Sequence, residues 1–204
     1  MSTEKNILEG AKNLFMQFGL KSITMDDIAK KVGVSKKTIY QFFSDKGSIV
    51  LKSVHEHFSE HRTDIENALG KSENAIQSFF NISKCMKRHI ESSNPTVLYD
   101  LQRYFPKAYK KFLEFRDNFM RNKLESVLNQ GIEEGYFRPE LNVNVLVIMR
   151  IVQVESTFNA EIYPREQFDF KMLHEQLLDH FIHGLLTEKG KEKYNQYLNE
   201  EHDA

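Results

Sequence analysis

One stretch near the amino terminus concentrates side chains that bind nucleic acid in other proteins. In SKKTIYQFF, residues 35–43, polar and apolar residues fall on opposite faces of a predicted short helix. The polar members are Lys36, Lys37, Thr38, Tyr40 and Gln41. We expect Ile39, Phe42 and Phe43 to pack against the rest of the protein. Cations, hydroxyls and an amide on a short helix suit the major groove of DNA.

Two helices joined by a tight turn must position this face. Thr24 is a preferred N-cap residue, and Asp27 completes a capping-box pattern three residues later. Gly33 suits the left-handed conformation that ends a helix, and Ser35 suits the N-cap of the next one. These spacings predict a helix-turn-helix. They also fit an ordinary pair of core helices with a solvated outer face.

The run from about Lys5 to Leu51 carries further motifs at fixed spacing. It contains ILEGAKNLFMQFG, an amphipathic helix ending in F-x-x-x-G, followed by Thr24, I-A-K-K-V-G-V-S, T-I-Y-Q-F-F and Lys46. With these motifs, about a quarter of the chain resembles the DNA-binding head of the TetR family of transcriptional regulators. The rest resembles that family only in length and helical character.

The resemblance implies which side chains contact DNA. In the family, the third helix enters the major groove and flanking residues clamp the DNA backbone. Carried over by position, the contacts are Thr24, Lys36, Lys37, Thr38, Tyr40, Gln41 and Lys46. Position 42 is Phe where many members carry a polar residue. Base readout is therefore expected to depend more on the lysines and Gln41.

The hydrophobic pattern predicts an all-α fold of about nine helices. A three-helix head, residues 1–47, precedes a larger helical bundle, residues 48–204, and a helix over about 45–69 links them. One helix is predicted from Pro106 to about Gly131. The charged tail, residues 187–204, is expected to form one exposed helical turn or to fray.

Charge distribution agrees with a nucleic-acid contact at one end of the molecule. The net charge is −1, but residues 1–47 hold eight lysines and five acids, whereas the remainder has a surplus of acids. The only cysteine is Cys85, which excludes an intramolecular disulfide and fits an inert core better than a redox sensor. The opening MSTEKN lacks the apolar core of a signal peptide, and no apolar run is long enough to span a membrane. We expect a cytoplasmic protein.

The resemblance also implies a dimer and a small-molecule effector. Helices over about 143–160 and 168–186 carry more apolar surface than a monomer needs to bury, so we expect them to form a homodimer interface that matches a near-palindromic DNA operator. Candidate residues for an effector pocket are Phe79, Phe80, Met86, Tyr99, Tyr104, Phe112, Phe115, Phe119 and Gln153. Aromatic residues at helical spacing fit plain core equally well.

The predicted function is ligand-responsive transcriptional regulation, most often repression. The alternative is a helical small-molecule or metal sensor without sequence-specific DNA binding. His57 and His61 have metal-ligand spacing on one helix, but no third ligand is specified, and such a group is typical of a solvated face. No nucleophile–base pair or phosphate loop is visible, so we predict no enzymatic activity, no cofactor and no resident metal.

Overall fold

The computed structural model describes residues 2–91 and 94–202. Within them the chain forms helices and one isolated β-bridge, between Phe137 and Leu186, which confirms the predicted all-α class. The elements in chain order are α1 (Thr3–Phe18), α2 (Met25–Val32), α3 (Lys36–Tyr40), α4 (Lys46–Leu69), α5 (Ala75–Glu91), α6 (Val97–Tyr104), α7 (Pro106–Glu114), a π-helical segment (Phe115–Met120), α8 (Arg121–Glu133), α9 (Val143–Ser156), α10 (Phe170–Leu185) and α11 (Glu188–His202). None of the described helices is both apolar and long enough to cross a lipid bilayer.

The chain divides into two compact units. The first contains the described residues of Met1–His61 and Ser92–Phe115, and the second contains those of Arg62–Glu91 and Arg116–Ala204. The first unit therefore holds α1–α3, most of α4, α6 and α7. The second holds the end of α4 together with α5 and α8–α11.

The core of the first unit is formed by apolar stripes of its helices. Its buried members include Ile7, Leu8, Ala11, Phe15, Ile28, Ile39, Ile49 and Val50. Leu101 of α6 and Ala108 of α7 join the same core. Each fully buried large apolar side chain contributes about 1.5–3 kcal/mol to stability. Because α2 and α3 both bury side chains in this core, their packing there holds the angle between them.

Local capping defines the ends of the short helices in the head, as the sequence predicts. The Thr24 hydroxyl accepts a hydrogen bond from the Asp27 backbone N–H at 3.2 Å, and the Asp27 carboxylate accepts one from the Thr24 N–H at 2.8 Å. Gly33 ends α2 at φ 72° and ψ 31°, in the left-handed region that favours glycine. Ser35 then caps α3, where its Oγ accepts from the Thr38 N–H at 3.0 Å. Both predicted capping interactions are confirmed.

A buried acid in α6 braces the turn between α1 and α2. Asp100 is only 5% exposed, and its Oδ2 accepts a hydrogen bond from the Lys21 backbone N–H at 2.8 Å. The Asn94 side-chain amide donates to the Gln17 carbonyl at 3.1 Å nearby. The second bond satisfies a backbone carbonyl in the last turn of α1, where carbonyls lack intrahelical partners, and the first pairs an N–H group of the turn that follows.

The second unit has a core rich in phenylalanine. Phe79 of α5 stacks on Phe181 of α10 at 5.8 Å between ring centroids and meets the edge of Phe137 at 6.4 Å. Gly131 of α8 allows this packing, because a Cβ at that position would lie 2.1 Å from the Phe137 ring.

Two predictions about helices are wrong. The helix predicted from Pro106 to Gly131 is divided by a π-helical segment, Phe115–Met120, because an apolar stripe does not specify whether one turn contains an extra residue. The tail, predicted to form one exposed helical turn or to fray, instead forms α11. It is held by the buried side chain of Tyr194 and by the Tyr197 hydroxyl, which accepts from the Asn74 amide at 3.0 Å.

Candidate functional site

The recognition face, the polar side of α3, is presented to solvent while its back is anchored in the core. Ile39 is completely buried, whereas Lys37 and Gln41 are exposed and Tyr40 is 52% exposed. Thr38 is half-buried, and its hydroxyl lies 2.8 Å from that of Ser35. The helix has only five residues, so its orientation is set by the core contact of Ile39 and by the Ser35 cap.

Lys36 is held differently from its neighbour Lys37. Its Nζ forms an ion pair with Asp26 of α2, 3.0 Å from Oδ1. This carboxylate raises the pKa of Lys36 above its ordinary value. Lys36 therefore remains charged and directed toward α2, whereas no side-chain partner of Lys37 is found among the described residues.

The two predicted backbone clamps, Thr24 and Lys46, lie at the amino-terminal ends of α2 and α4. The Thr24 hydroxyl donates to Asp27 Oδ2 at 2.6 Å, and the hydrogen bonds from Thr24 lower the pKa of Asp27. Lys46 Nζ donates to the Lys21 carbonyl at 3.1 Å and lies 5.6 Å from the centre of the Phe105 ring. Burial lowers the pKa of Lys46.

One prediction about this region is wrong. Phe42 was expected to pack inward, but it is 44% exposed, while Phe43 is 4% exposed and belongs to the core. The reason is geometric: α3 ends at Tyr40, and the following turn directs only the second of the two phenylalanines toward the core. Phe42 therefore places an apolar ring in solvent directly after the recognition face.

The candidate pocket residues divide between the two units. In the first unit, Phe112 and Phe115 surround Phe58 with ring centroids 5.9 and 4.7 Å away. Tyr99 and Tyr104 are 60% and 41% exposed on α6. The second unit contains Phe79, Phe80, Met86, Phe119 and Gln153.

A cavity of about 390 Å³ lies in the second unit between α5, α10 and α11. Of the predicted pocket residues, Phe79 and Phe80 line it. Leu178, Ile182 and Tyr194 add apolar surface to the lining. Lys87 and Glu175 also line the cavity and form an ion pair, with 2.6 Å between Nζ and Oε1. Met86, Phe119 and Gln153 are not part of its lining.

An apolar stripe is exposed along α9. The α9 stripe consists of Val145, Ile148, Met149 and Val152, which are between 41% and 58% exposed. Their spacing places all four on one face of the helix. Met172 of α10 is a further large apolar residue at the surface, 48% exposed. A contiguous apolar patch of this kind is typical of an interaction surface.

Comparison with known proteins identifies the head. The model of the family described as bacterial regulatory proteins, tetR family, matches residues 7–52. The HTH-type transcriptional repressor KstR2 of Mycobacterium tuberculosis is 29% identical over 148 residues, which cover 71% of this chain and 74% of the repressor. Residues 7–52 are thus a TetR-family DNA-binding head. Its function is accordingly the regulation of transcription.

Solved structures share the fold over nearly the whole chain. A putative regulator from Saccharomonospora viridis in complex with choline superposes with a TM-score of 0.77 at 17% identity, covering 91% of this chain and 98% of that one. FadR of Bacillus subtilis in complex with stearoyl-CoA has a TM-score of 0.66 at 18% identity, covering 88% and 98%. At these identities the likeness shows the fold alone.

The structure also shows where two other residues singled out in the sequence, His61 and Cys85, are placed. His61 is 4% exposed and packs edge-on against Phe58 and Phe115, so the prediction of a solvated histidine face is wrong for this residue. Apolar neighbours on α4 itself and on the π-helical segment cover it, and the second of these is not revealed by spacing along α4. Cys85 is buried, as expected of a core thiol.

The residues predicted from the sequence do not include one polar cluster, which lies in the second unit. Arg150, Thr157, Arg165 and His174 meet where α9, the following loop and α10 come together, and we call these four residues the arginine cluster. One signal for it exists in the sequence: Arg150 is the only charged residue in the ten-residue run VNVLVIMRIV. A lone charge in an apolar helix requires a specific partner or a function.

Proposed function

We propose that this TetR-family protein is a ligand-responsive repressor that binds a near-palindromic operator as a homodimer and is released by a small molecule. The observation that carries the proposal is the recognition face. Its core residue is fully buried, while Lys37 and Tyr40 extend into solvent. A side chain that is free of intramolecular partners can reach DNA without first breaking a bond.

Within the head, we assign base readout to Lys36, Lys37 and Gln41, since lysine and amide side chains hydrogen-bond to base edges in the major groove. Thr38 and Tyr40 supply hydroxyls for phosphate oxygens. Thr24 and Lys46 hold the backbone on either side, next to the free N–H groups of two helix amino termini.

A single head of this size contacts few phosphates, which gives weak and strongly salt-dependent binding. Two heads separated by about one turn of DNA, roughly 34–36 Å, provide a specific footprint. The exposed α9 stripe supports dimerisation through α9 and α10, because pairing with a second copy would bury these side chains. The operator would then share the twofold symmetry of the dimer.

We place effector binding in the larger helical part of the chain. KstR2 is a repressor, and relatives of the same fold have been solved with stearoyl-CoA or choline bound. α4 belongs to the first unit up to His61 and to the second from Arg62, so a displacement of this helix would link effector binding to the heads. A coupling of about 1–3 kcal/mol would change operator affinity about 5–150-fold. The protein would act in the cytoplasm and without catalysis.

The decisive experiment is a gel shift at physiological salt with DNA from the promoter of the protein's own gene. We expect the wild type to shift this DNA, and the double variant Lys37→Ala/Tyr40→Ala to lose the shift while it still elutes as a dimer. A control is Lys191→Ala/Lys193→Ala, which removes two cations from α11, a helix that contributes no residue to the recognition face.

The control variant should bind DNA like the wild type. Undiminished binding by the Lys37/Tyr40 variant would overturn the assignment of the recognition face. A wild-type protein that dimerises but ignores every duplex offered would favour the alternative, a helical sensor without DNA binding.

A further inference from the structure

The arginine cluster is closed by short polar contacts. Thr157 is completely buried and His174 is 8% exposed. Arg165 Nη2 donates to the Thr157 carbonyl at 2.8 Å, and His174 Nε2 lies 2.8 Å from Thr157 Oγ1. The Thr157 hydroxyl donates its one proton to the Val154 carbonyl at 2.7 Å. His174 must therefore donate through Nε2–H to Thr157 Oγ1, which fixes the tautomer of the neutral ring.

Neither arginine of the cluster has an ion-pair partner among the residues that the structure describes. Arg165 Nη1 is buried and makes no hydrogen bond, while its guanidinium lies 4.5 Å from the centre of the Phe170 ring. Arg150 reaches only the Gln153 amide oxygen, at 3.4 Å, and lies 5.6 Å from the centre of the Phe181 ring. Both arginines are partly buried. Arginines that are withdrawn from water are usually paired with carboxylates, so two without such a partner require an explanation.

The acids on the same helices are engaged elsewhere. Glu155 of α9 accepts from Arg116 at 2.9 Å. On α10, Glu175 pairs with Lys87 at 2.6 Å and Asp179 with His183 at 3.3 Å. The cluster thus remains a site of positive charge without a protein counter-ion among the described residues.

Electrostatics agree with this geometry. Burial lowers the pKa of Arg150 to about 10 and also lowers the pKa of Arg165. Burial, followed by the charges of the two arginines, lowers the pKa of His174 to about 4. All three shifts show that the site disfavours its own positive charge, which a bound anion would relieve.

A second copy that pairs through the α9 stripe would not supply a counter-ion to the arginine cluster. At 3.6 residues per turn, Arg150 lies about 150° around the helix axis from the centre of the α9 stripe. It shares its side of α9 with Val147, which is 2% exposed. Arg150 is therefore directed toward the interior of the second unit, away from the proposed dimer contact.

We propose that the arginine cluster is the anion-recognition part of the effector site, and that the effector is a small molecule bearing a carboxylate or phosphate group. Arg150 and Arg165 would supply guanidinium donors, which bind such groups through paired hydrogen bonds. Phe158, Phe170 and Phe181 would line the apolar part, and His174 would hold the loop through Thr157. This inference rests on the proposed function as a ligand-responsive regulator and names the chemical class of its ligand.

The experiment measures thermal unfolding of the full-length protein at constant ionic strength, with chloride replaced stepwise by acetate or by inorganic phosphate. The test variant is Arg150→Gln/Arg165→Gln. The control is Lys191→Gln/Lys193→Gln, which removes two cations from α11, a helix that contributes no residue to the arginine cluster. At an anion concentration near five times Kd, we expect the wild-type Tm to rise by about 2–4 °C.

The control variant should show the same rise, and the arginine variant should show none. In chloride, the arginine variant should unfold at the same Tm as the wild type or higher, because it lacks two partly buried charges that have no carboxylate partner among the described residues. A response to acetate alone assigns a carboxylate, and a response to phosphate alone assigns a phosphate. Equal responses of all three proteins to both anions would overturn the proposal, as would a lower Tm of the arginine variant in every buffer.

The anion titration does not measure operator binding, so the two proposals can fail independently. A protein that fails the gel shift but passes the anion titration would refute the repressor function and leave the anion site standing. The reverse outcome would refute only the anion site.

Discussion

Acidification should destabilise this protein through His174 in a way that can be calculated. The ordinary pKa of histidine is 6.5, and in the folded chain burial and then the charges of Arg150 and Arg165 lower it to about 4. At a pH between these two values, His174 is protonated in the unfolded chain and neutral in the folded chain. Because protons then favour the unfolded state, this contribution to stability is complete above the unfolded pKa and is lost as the pH falls toward the folded one.

The size of the effect follows from the same two pKa values. Between about pH 7 and pH 5 the linkage relation gives a loss of about 2 kcal/mol in the free energy of unfolding from this one residue. At lower pH the loss approaches its limit, about 3 kcal/mol. His174 is nearly fully buried, so solvent screening reduces this value little.

The assay is urea unfolding of the wild type and of His174→Gln across this pH range in a buffer of weakly binding anions. Other groups titrate in both proteins, so the quantity of interest is the difference between their free energies of unfolding. We expect the wild type to lose about 2 kcal/mol relative to the variant on going from about pH 7 to pH 5. A difference that stays constant with pH would refute the reasoning, because it would mean that His174 titrates alike in both states.

Three further substitutions test other features. Ile148→Glu in the α9 stripe should raise the dimer dissociation constant at least about 30-fold, measured by sedimentation, because it sets charges against an apolar surface; an unchanged constant would place the interface elsewhere. Gly131→Ala should lower stability by about 1–3 kcal/mol in urea, since its Cβ would overlap the buried ring of Phe137; a neutral result would show that the ring can move. Asp100→Ala should cost about 1–3 kcal/mol by the same measurement, because the Lys21 backbone N–H loses its acceptor; Glu192→Ala, at an exposed carboxylate of α11, serves as the comparison.

Much of the head was predictable because its determinants are local. Thr24, Gly33 and Ser35 each act on backbone groups within four residues, so their types and spacing specify the helix ends. Pro106 likewise begins α7, where its missing N–H costs nothing. Such features need no knowledge of the rest of the chain.

The features that were predicted wrongly or missed depend on contacts between residues that are distant in the sequence. Phe42 and Phe43 have the same side chain, and only the path of the chain after Tyr40 decides which one is buried. The tail is rich in charged residues, yet Tyr194 packs beside Phe80, which lies far earlier in the chain. The arginine cluster joins residues from two helices and a loop, and its lack of a carboxylate partner among the described residues becomes evident only in three dimensions.

The ion pair between Lys36 and Asp26 bears on how strongly DNA binding by the head would depend on salt concentration. Part of the positive charge of the proposed recognition face is already paired with a carboxylate of the same molecule. If Lys36 leaves Asp26 to contact DNA, one electronegative partner replaces another, and fewer bound cations would leave the duplex than a count of lysines suggests. Asp26 remains beside the polyanion and repels it. If the head binds DNA as proposed, Asp26 would therefore weaken its binding to unrelated sequence and shorten each nonspecific encounter.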